Sequence, residues 1–169
     1  MSKIHNENGI KTPILKTVIA RVREQLEHRA MWLALLVDEA EKQGLLIQNF
    51  ACDAIKKCGC IQGEKLAEGT QDFRVLKKNL FDFFAKKVFE MEIKECTQDK
   101  LSINFHYCPL VKAWQKMGYS DERIKQLCEC AMCGDRGIIS QFGGELNLEQ
   151  TIAGGSDYCK IRFIKKLDM

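Results

Sequence analysis

Hydrophobic side chains recur at helical spacing through the first half of the chain. The first stripe predicts a long helix that starts with Thr12 as its N-cap and Pro13 in its first turn, and that ends near Gly44. The residues predicted on its apolar face are Ile14, Val18, Val22, Leu26 and Ala30. A long amphipathic helix is therefore expected to open the fold.

Two shorter stripes follow this helix. One predicts a second helix that stops at Gly59, where a C-terminal glycine is expected. The other predicts a third helix from about Gln71 toward Val88, with lysines and Asp82 on its far side. The apolar residues of these stripes are Leu46, Phe50, Ala54 and Cys58 in the second helix and Phe73, Leu76, Leu80, Phe83 and Phe84 in the third. The first half of the chain is predicted to be helical.

After Val88 hydrophobic and polar residues alternate, which is the period of a β-strand. A first hairpin is predicted around a turn at Thr97–Lys100, and a second around a turn at Gly154–Asp157. The apolar residues of the first hairpin are Phe89, Met91, Ile93, Leu101, Ile103 and Phe105, and those of the second are Leu146, Leu148, Ile152 and the strand from Tyr158 or Cys159 to Phe163.

The segment between the hairpins is predicted to be helical. Pro109 can open a short helix, which Gly118 closes. Ser120 provides an N-cap hydroxyl for a longer helix, with acidic residues in its first turn. Whether that helix pauses at Gly134 is left open by the sequence. The simplest arrangement is a four-stranded antiparallel sheet covered by helices.

These elements predict one α+β domain over residues 1–169. Its N-terminal helices occupy about 12–88, and a hairpin, helices and a second hairpin occupy about 89–166. A chain of 169 residues is near the usual size of a single domain and can bury one hydrophobic core.

Charge and hydropathy narrow the class of partner. The 26 basic and 23 acidic residues leave a net charge of +3 without any block of like charge, so nucleic acid is not an expected partner. The longest apolar run, Ala30–Val37, is too short for a membrane span. We expect a cytoplasmic protein that binds a small molecule and needs no cofactor. The sequence leaves open whether it forms a homo-oligomer.

Cysteine is unusually frequent, with nine residues. No secretion signal accompanies them, and an odd number cannot all pair within one chain, so reduced thiols are expected. Cys130 and Cys133 form a CxxC spacing, which zinc and redox sites use. Cys58 and Cys60 supply only a CxC, so no metal is predicted, although a zinc-stabilised module is a third hypothesis for the chain.

Three sequence blocks carry a resemblance to a known family. They are residues 105–110, the helix that carries Leu127-Cys128 and Cys133-Gly134-Asp135, and the ending from Thr151 to Phe163. Together they resemble the L-2-amino-thiazoline-4-carboxylic acid hydrolase family, over roughly 105–163. The resemblance implies hydrolysis of a cyclic amidine at a carbon–nitrogen bond, giving a carbamoyl-cysteine and then cysteine.

Cys108 is the first candidate for this chemistry. It precedes Pro109 at a strand end, and a thiolate at a helix N-terminus is stabilised by the helix dipole. His106 lies two residues earlier, which places it on the same strand face if the alternation continues. A buried structural cysteine and a merely exposed histidine are the alternatives.

Asp135 is the second candidate, because it could activate water or bind the protonated amidine. Its alternative role is to cap a helix that restarts after Gly134. Cys133, two residues before Asp135, is a further catalytic candidate. Cys128, Cys159 and Arg162 are candidates for substrate binding, since a guanidinium binds a carboxylate through two hydrogen bonds. Packing for Cys159 and a solvated side chain for Arg162 are the corresponding alternatives.

Two further classes of function are considered beside the zinc-stabilised module. The first is a hydrolase whose pocket lies between the sheet and the helices of residues 108–142. The second is a non-catalytic small-molecule sensor or binding domain, because helices over a short antiparallel sheet with a C-terminal hairpin also resemble the 4-vinyl reductase type of domain. Convergence of Cys108, Asp135 and His106 would favour catalysis, whereas apolar surroundings alone would favour binding.

Overall fold

The structure is a computed structural model, in which we describe residues 3–7, 9 and 13–166, without the side chains of 48 and 49. The predicted N-cap Thr12 lies outside the described residues. Helices and strands follow the predicted order of a helical half, a hairpin, helices and a second hairpin. The fold class is therefore α+β, as the sequence predicted.

The described residues form six α-helices and four β-strands. In chain order they are α1 (Pro13–Lys42), α2 (Asp53–Ala67), α3 (Phe73–Leu80), α4 (Phe83–Val88), β1 (Met91–Cys96), β2 (Lys100–Phe105), α5 (Pro109–Lys116), α6 (Asp121–Gln141), β3 (Gly144–Gln150) and β4 (Cys159–Lys165). A π-helical turn, Gln48–Cys52, precedes α2, and a 3-10 turn, Ile152–Gly154, precedes β4. Of the helices described, none is both long and apolar enough to cross a bilayer.

The four strands form one antiparallel sheet in the order β1-β2-β4-β3. Both predicted hairpins are present, and β2 and β4 pair in the middle. One face of the sheet carries the buried side chains Leu101, Ile103, Ile161 and Phe163. Successive residues of a strand point to opposite faces, so this alternation fixes which residues of β2 and β4 meet the helices.

Helix α1 buries only the later part of the predicted face, since Ala30 is buried and Leu26 is partly buried. Ile14 is 82% exposed, and Val18 and Val22 are also exposed, whereas Arg23 is buried. The Arg23 guanidinium donates to the carbonyl of Val88 at 2.8 Å and pairs with Glu90 at 2.9 Å. Because these partners offset the cost of burying the charge, the hydrophobic stripe did not identify the buried side in the first turns of the helix.

The predicted end of the second helix at Gly59 is wrong, since α2 continues to Ala67. Gly59 lies where α2 meets α6, and a Cβ there would be 2.0 Å from the carbonyl oxygen of Gly134. A Cβ on Gly137 would likewise be 2.2 Å from the carbonyl oxygen of Lys56. We call Gly59, Gly63, Gly134 and Gly137 the glycine seam; it lets the two backbones touch.

The predicted third helix is two helices. It breaks at Phe81 and Asp82, and the Asp82 carboxylate caps α4 by accepting from the backbone N–H of Ala85 at 2.7 Å. A capping aspartate satisfies an N–H that would otherwise lack a partner. Phe83 and Phe84 consequently turn outward and are about half exposed, so the predicted stripe holds only for α3.

The segment between the hairpins follows the prediction closely. Pro109 opens α5, and Gly118 ends that segment in a left-handed conformation. The Ser120 hydroxyl accepts from the N–H of Arg123 at 3.2 Å, which caps α6. Helix α6 continues through Gly134 without a pause, because the glycine packs against α2 and does not terminate the helix.

Candidate functional site

Three thiols and one carboxyl group come together between the helices and the sheet. Cys108 lies at the start of α5, Cys128 and Asp135 lie two turns apart on α6, and Cys159 begins β4 on the face that packs against the helices. Each is close enough to others of the group to affect their ionisation. We call these four residues the thiol–carboxylate cluster; they occupy the region where the sequence predicted a pocket.

The backbone of Cys108 is held by the N-terminal segment, residues 3–7, which we call the strap. The Asn6 amide donates to the Cys108 carbonyl at 2.7 Å, and the Cys108 N–H donates to the Asn6 side-chain oxygen at 2.9 Å. Asn6 is 2% exposed, and Ile4 is buried among the helices around it. The strap therefore fixes Cys108 from a point far away in the sequence.

Burial keeps the cluster thiols protonated. It raises the pKa of Cys108 and, most strongly, that of Cys128, and it raises the pKa of Cys159 to about 12. The backbone N–H groups of Leu110 and Val111 at the start of α5 act against this at Cys108 but do not reverse it. The predicted effect of the helix start is thus present, but desolvation is larger.

The pKa of the Asp135 carboxyl group suits a general base near neutral pH. Burial raises its pKa to about 6, while the charges of Arg29 and Arg136 limit the rise. A carboxyl group with this pKa is mostly ionised at pH 7 and can still take up a proton readily. Since α6 is continuous, Asp135 does not cap a second helix, which removes the structural alternative considered for it.

His106 lies apart from the cluster. Its imidazole is 3.7 Å from the Glu92 carboxylate and packs against the Tyr158 ring. Strand β2 ends at Phe105, although the N–H groups of His106 and Tyr107 still donate to Glu90 and Phe89. His106 faces Glu92, whereas Cys108 belongs to the cluster. The expected convergence of His106 with Cys108 is therefore wrong.

Arg162 is also separated from the cluster. It lies between Ile161 and Phe163, whose side chains face the helices, so it is on the opposite face of the sheet. There its guanidinium donates to the carbonyl of Ile103 at 3.2 Å and lies 3.7 Å from Glu149. The structure does not place Arg162 where it could bind a ligand beside Cys108.

Cys133 lies in a different environment from Cys108, although both were proposed as catalytic. Its sulfur lies 3.9 Å from the Arg136 guanidinium, and its thiol donates to the Glu129 carbonyl at 3.7 Å. Cys52, at the end of the π-helical turn, is near enough to affect its ionisation. In the described part of the chain, no three His, Cys, Asp or Glu side chains are arranged to hold a metal ion. The CxxC residues therefore do not form a zinc site with Cys58 or Cys60.

A surface groove of about 360 Å³ lies elsewhere, at the corner between the end of α1 and α6. Its lining residues are Glu41, Gly44, Leu45, Leu46, Ile47 and Gln126. None of the four cluster residues lines it. The candidate chemistry therefore lies at the cluster and not in the groove.

A partly buried carboxyl group with a pKa near 6, close to a thiol whose backbone is held in place, lies between helices and an antiparallel sheet. This arrangement defines a candidate hydrolase site of the α+β class. The family model described as L-2-amino-thiazoline-4-carboxylic acid hydrolase matches residues 23–163. The chain belongs to this family, as the three sequence blocks indicated. No curated protein sequence matches the chain significantly.

A solved structure shares the fold. It is a trafficking protein particle complex subunit 3 from Naegleria fowleri, covalently bound to palmitic acid, with a TM-score of 0.53. The match covers 83% of this chain and 95% of that chain, at 18% sequence identity. At this identity the likeness concerns the fold alone.

Two residues of the site were missed by the sequence analysis. Asn6 lies outside any periodic segment, and nothing in the sequence indicates that it pairs with a residue 102 positions later. Arg29 is on the exposed side of α1, yet its charge acts on Asp135. A polar residue whose partner is remote in sequence leaves no local signal.

Proposed function

We propose that this protein hydrolyses a small cyclic amidine of the 2-amino-thiazoline-4-carboxylate type at a carbon–nitrogen bond. The observation that carries the proposal is the Asp135 carboxyl group, partly buried and with a pKa raised to about 6 near Cys108, in a member of this family. Perturbed carboxyl groups of this kind concentrate at catalytic sites.

Asp135 acts as the general base. Its carboxylate takes a proton from water as the water oxygen adds to the amidine carbon, which gives a tetrahedral intermediate. The protonated Asp135 then returns the proton to the ring nitrogen as the carbon–nitrogen bond breaks. The products carry the atoms of one added water, with the oxygen as a carbonyl on the former amidine carbon.

Cys108 acts as a neutral hydrogen-bonding group. Its raised pKa leaves little thiolate at neutral pH, and the thiolate is the form that attacks as a nucleophile. A protonated thiol can instead donate a weak hydrogen bond to the substrate. The Asn6 hydrogen bonds fix its backbone, which limits how far the thiol can move relative to Asp135.

Arg29 takes the role first considered for Arg162. It is a cation whose charge acts on the Asp135 carboxyl group, and it is exposed enough to meet a substrate that enters from solvent. A guanidinium recognises a carboxylate through paired hydrogen bonds. Arg29→Ala is then expected to raise KM for a carboxylated substrate more than it lowers kcat.

The decisive test is a chromatographic assay with L-2-amino-thiazoline-4-carboxylate that measures carbamoyl-cysteine and cysteine. Asp135→Asn should lose about 10²–10⁴-fold in kcat, the usual contribution of a general base. Cys108→Ser should retain more activity than Cys108→Ala, because serine keeps a donor. Cys58→Ala, at an exposed position on α2, is the matched control and should remain fully active.

Two results would contradict parts of the proposal. Full activity of Asp135→Asn would remove the hydrolytic mechanism. A covalent substrate adduct on Cys108, trapped during turnover and seen by intact mass, would show that Cys108 is the nucleophile and not a donor.

A second candidate function is binding of an acyl or other apolar ligand without catalysis. It is favoured by the likeness to the trafficking subunit that carries palmitic acid and by the apolar residues around Cys108, such as Val111, Ile124 and Ile152. It predicts that purified protein incubated with palmitoyl-coenzyme A gains an acyl group on Cys108 and shows no amidine hydrolysis. Turnover of the amidine without acylation would reject it.

A further inference from the structure

A second group of thiols lies on the side of α6 that meets α2. The Cys52 side chain packs against the core cluster that contains Cys130. Its thiol lies close enough to those of Cys130 and Cys133 for the three to affect one another's ionisation. All nine cysteines are free in the structure, and the chemistry proposed above uses none of these three. They join the end of the π-helical turn to the middle of α6.

The glycine seam explains why these thiols meet. Gly59 contacts Gly134, and Gly63 contacts Ile138, so the two helices progress in the same direction. Cys52 lies before Gly59 on one helix, and Cys130 and Cys133 lie before or beside Gly134 on the other. Because the backbones touch at the seam, short side chains just ahead of it can reach each other across the interface.

Exposure separates the three thiols. Cys130 is 1% exposed, whereas Cys52 and Cys133 are partly exposed. The Arg136 guanidinium contacts the Cys133 sulfur at 3.9 Å and is itself paired with Glu129 at 2.5 Å. A reagent from solvent can therefore reach Cys133 or Cys52, and it meets a fixed positive charge at Cys133.

We propose that Cys52 and Cys133 form a dithiol site that a low-molecular-weight disulfide, such as oxidised glutathione, converts to an intramolecular disulfide. The geometry supports this, since the two thiols lie near each other on segments whose backbones touch at Gly59 and Gly134, and a disulfide requires closely spaced α-carbons. This inference does not depend on the proposed hydrolase activity.

The reaction proceeds by two exchanges. The Cys133 thiolate attacks one sulfur of oxidised glutathione, forms a mixed disulfide and releases one glutathione thiolate. The Cys52 thiolate then attacks the Cys133 sulfur and releases the second glutathione. The two cysteines are oxidised, one oxidised glutathione is reduced to two glutathione molecules, and the two cysteine protons pass to the departing thiolates.

The bridge would link the start of α2 to the helix that carries Asp135 and Cys128. It would close a long loop of the chain, and such cross-links generally stabilise the folded state by restricting the unfolded one. The oxidised protein should therefore unfold at a higher temperature than the reduced protein. The site would be a point of covalent modification outside the thiol–carboxylate cluster.

The test is incubation of the folded, full-length protein with oxidised glutathione at mildly alkaline pH, because burial raises the pKa of both thiols. Thiol titration should show a loss of two free thiols per chain. Trypsin under non-reducing conditions should give a linked pair of peptides, 43–56 and 126–136, each bounded by lysine or arginine. The first contains only Cys52, so its partner peptide identifies the bridge.

Single variants then resolve which residue of 126–136 takes part. The linked pair should disappear in Cys52→Ala and Cys133→Ala and persist in Cys130→Ala. Cys58→Ala, an exposed thiol one or two turns further along α2, is the matched control and should leave the pair intact. Glutathione adducts without a linked pair in the wild type, or a linked pair that depends on Cys130 in place of Cys133, would overturn the proposal.

Discussion

The two sides of α6 achieve close packing by opposite means. Toward α2 the helix presents Gly134 and Gly137, and the contact is made by backbone atoms. Toward α5 and the sheet it presents Cys128 and Asp135, and the contact buries a carboxyl group with a pKa raised to about 6. The side toward α2, which we call the rigid side, depends on the absence of side chains. The side toward α5 and the sheet, which we call the costly side, contains a carboxyl group in an unfavourable environment. The backbone contacts of the rigid side can hold the costly side in place.

The largest expected effect comes from breaking the rigid side. Gly59→Ala would put a Cβ 2.0 Å from the Gly134 carbonyl oxygen, and a main-chain atom cannot move without shifting a helix. Overpacking of this kind should lower the free energy of unfolding by about 3 kcal/mol or more, measured by urea denaturation.

Gly134→Ala is the matched control on the same seam. Its Cβ would meet a methyl group of Ile55 at 3.2 Å, and a side-chain methyl can adjust more easily. Alanine also favours a helix more than glycine does, so the net change should be below about 1 kcal/mol. Equal destabilisation by the two variants would contradict the backbone-contact account.

The next effect concerns Asp135 on the costly side, where replacing the carboxyl group is expected to stabilise the folded protein. The folded pKa of Asp135 is about 6 and its ordinary value is 3.8, so between these values the folded state binds more protons than the unfolded state. Stability therefore falls as pH rises through this window, and above it the ionised carboxylate costs about 3 kcal/mol.

Asp135→Asn should accordingly raise the free energy of unfolding at pH 7 by up to about 3 kcal/mol and flatten its dependence between pH 4 and 7. Chemical denaturation at several pH values measures both quantities. Asp157→Asn, at an exposed position, is the control and should change neither. A destabilised Asp135→Asn protein with an unchanged pH profile would show that the carboxylate is not penalised.

A smaller effect is expected at the strap, which closes the costly side. Asn6→Ala removes both hydrogen bonds to the Cys108 backbone and should cost about 2 kcal/mol of stability, since buried groups lose their partners. Asn6→Asp keeps an acceptor for the Cys108 N–H and loses the donor to its carbonyl, so it should fall between wild type and alanine. An alanine variant as stable as wild type would mean that the strap does not hold Cys108.

The smallest effect is expected at His106. Its partners are Glu92 and Tyr158, not the cluster, and a general base must lie within hydrogen-bonding reach of its proton. His106→Ala should leave kcat for the amidine within about two-fold of wild type in the same assay. A large loss would restore the role that the sequence suggested for it.

Local signals in the sequence predicted the order of elements well. The Ser120 cap, Pro109 at the start of α5 and the turn at Thr97–Lys100 are all present, because each depends on neighbours in the chain. The faces of α1 and α2 were predicted less well. Buried Arg23 and the seam glycines occupy positions that hydrophobicity alone assigns to solvent or to a helix end, and only the partner element explains them.

In the candidate site too, features that depend on neighbouring residues were predicted, and features that depend on distant segments were not. The position of Cys108 at a strand end before a helix follows from local sequence, and its neighbourhood with Asp135 was suggested by the family resemblance. The separation of His106 was not predictable from alternation, since it depends on where β2 stops pairing with its neighbours. Asn6 and Arg29 act from distant segments, for which a single sequence gives no spacing to interpret.

The strap has a consequence for how the protein is made. Its contact with Cys108 joins residues 102 positions apart, and Cys159 on the last strand completes the cluster. A chain emerging from the ribosome would have α1 and α2 available early, but it could not assemble the site until β4 had been synthesised. Contacts of such long range also slow folding, so the nascent helical half, with its exposed apolar side chains, is the stage most in need of protection from aggregation.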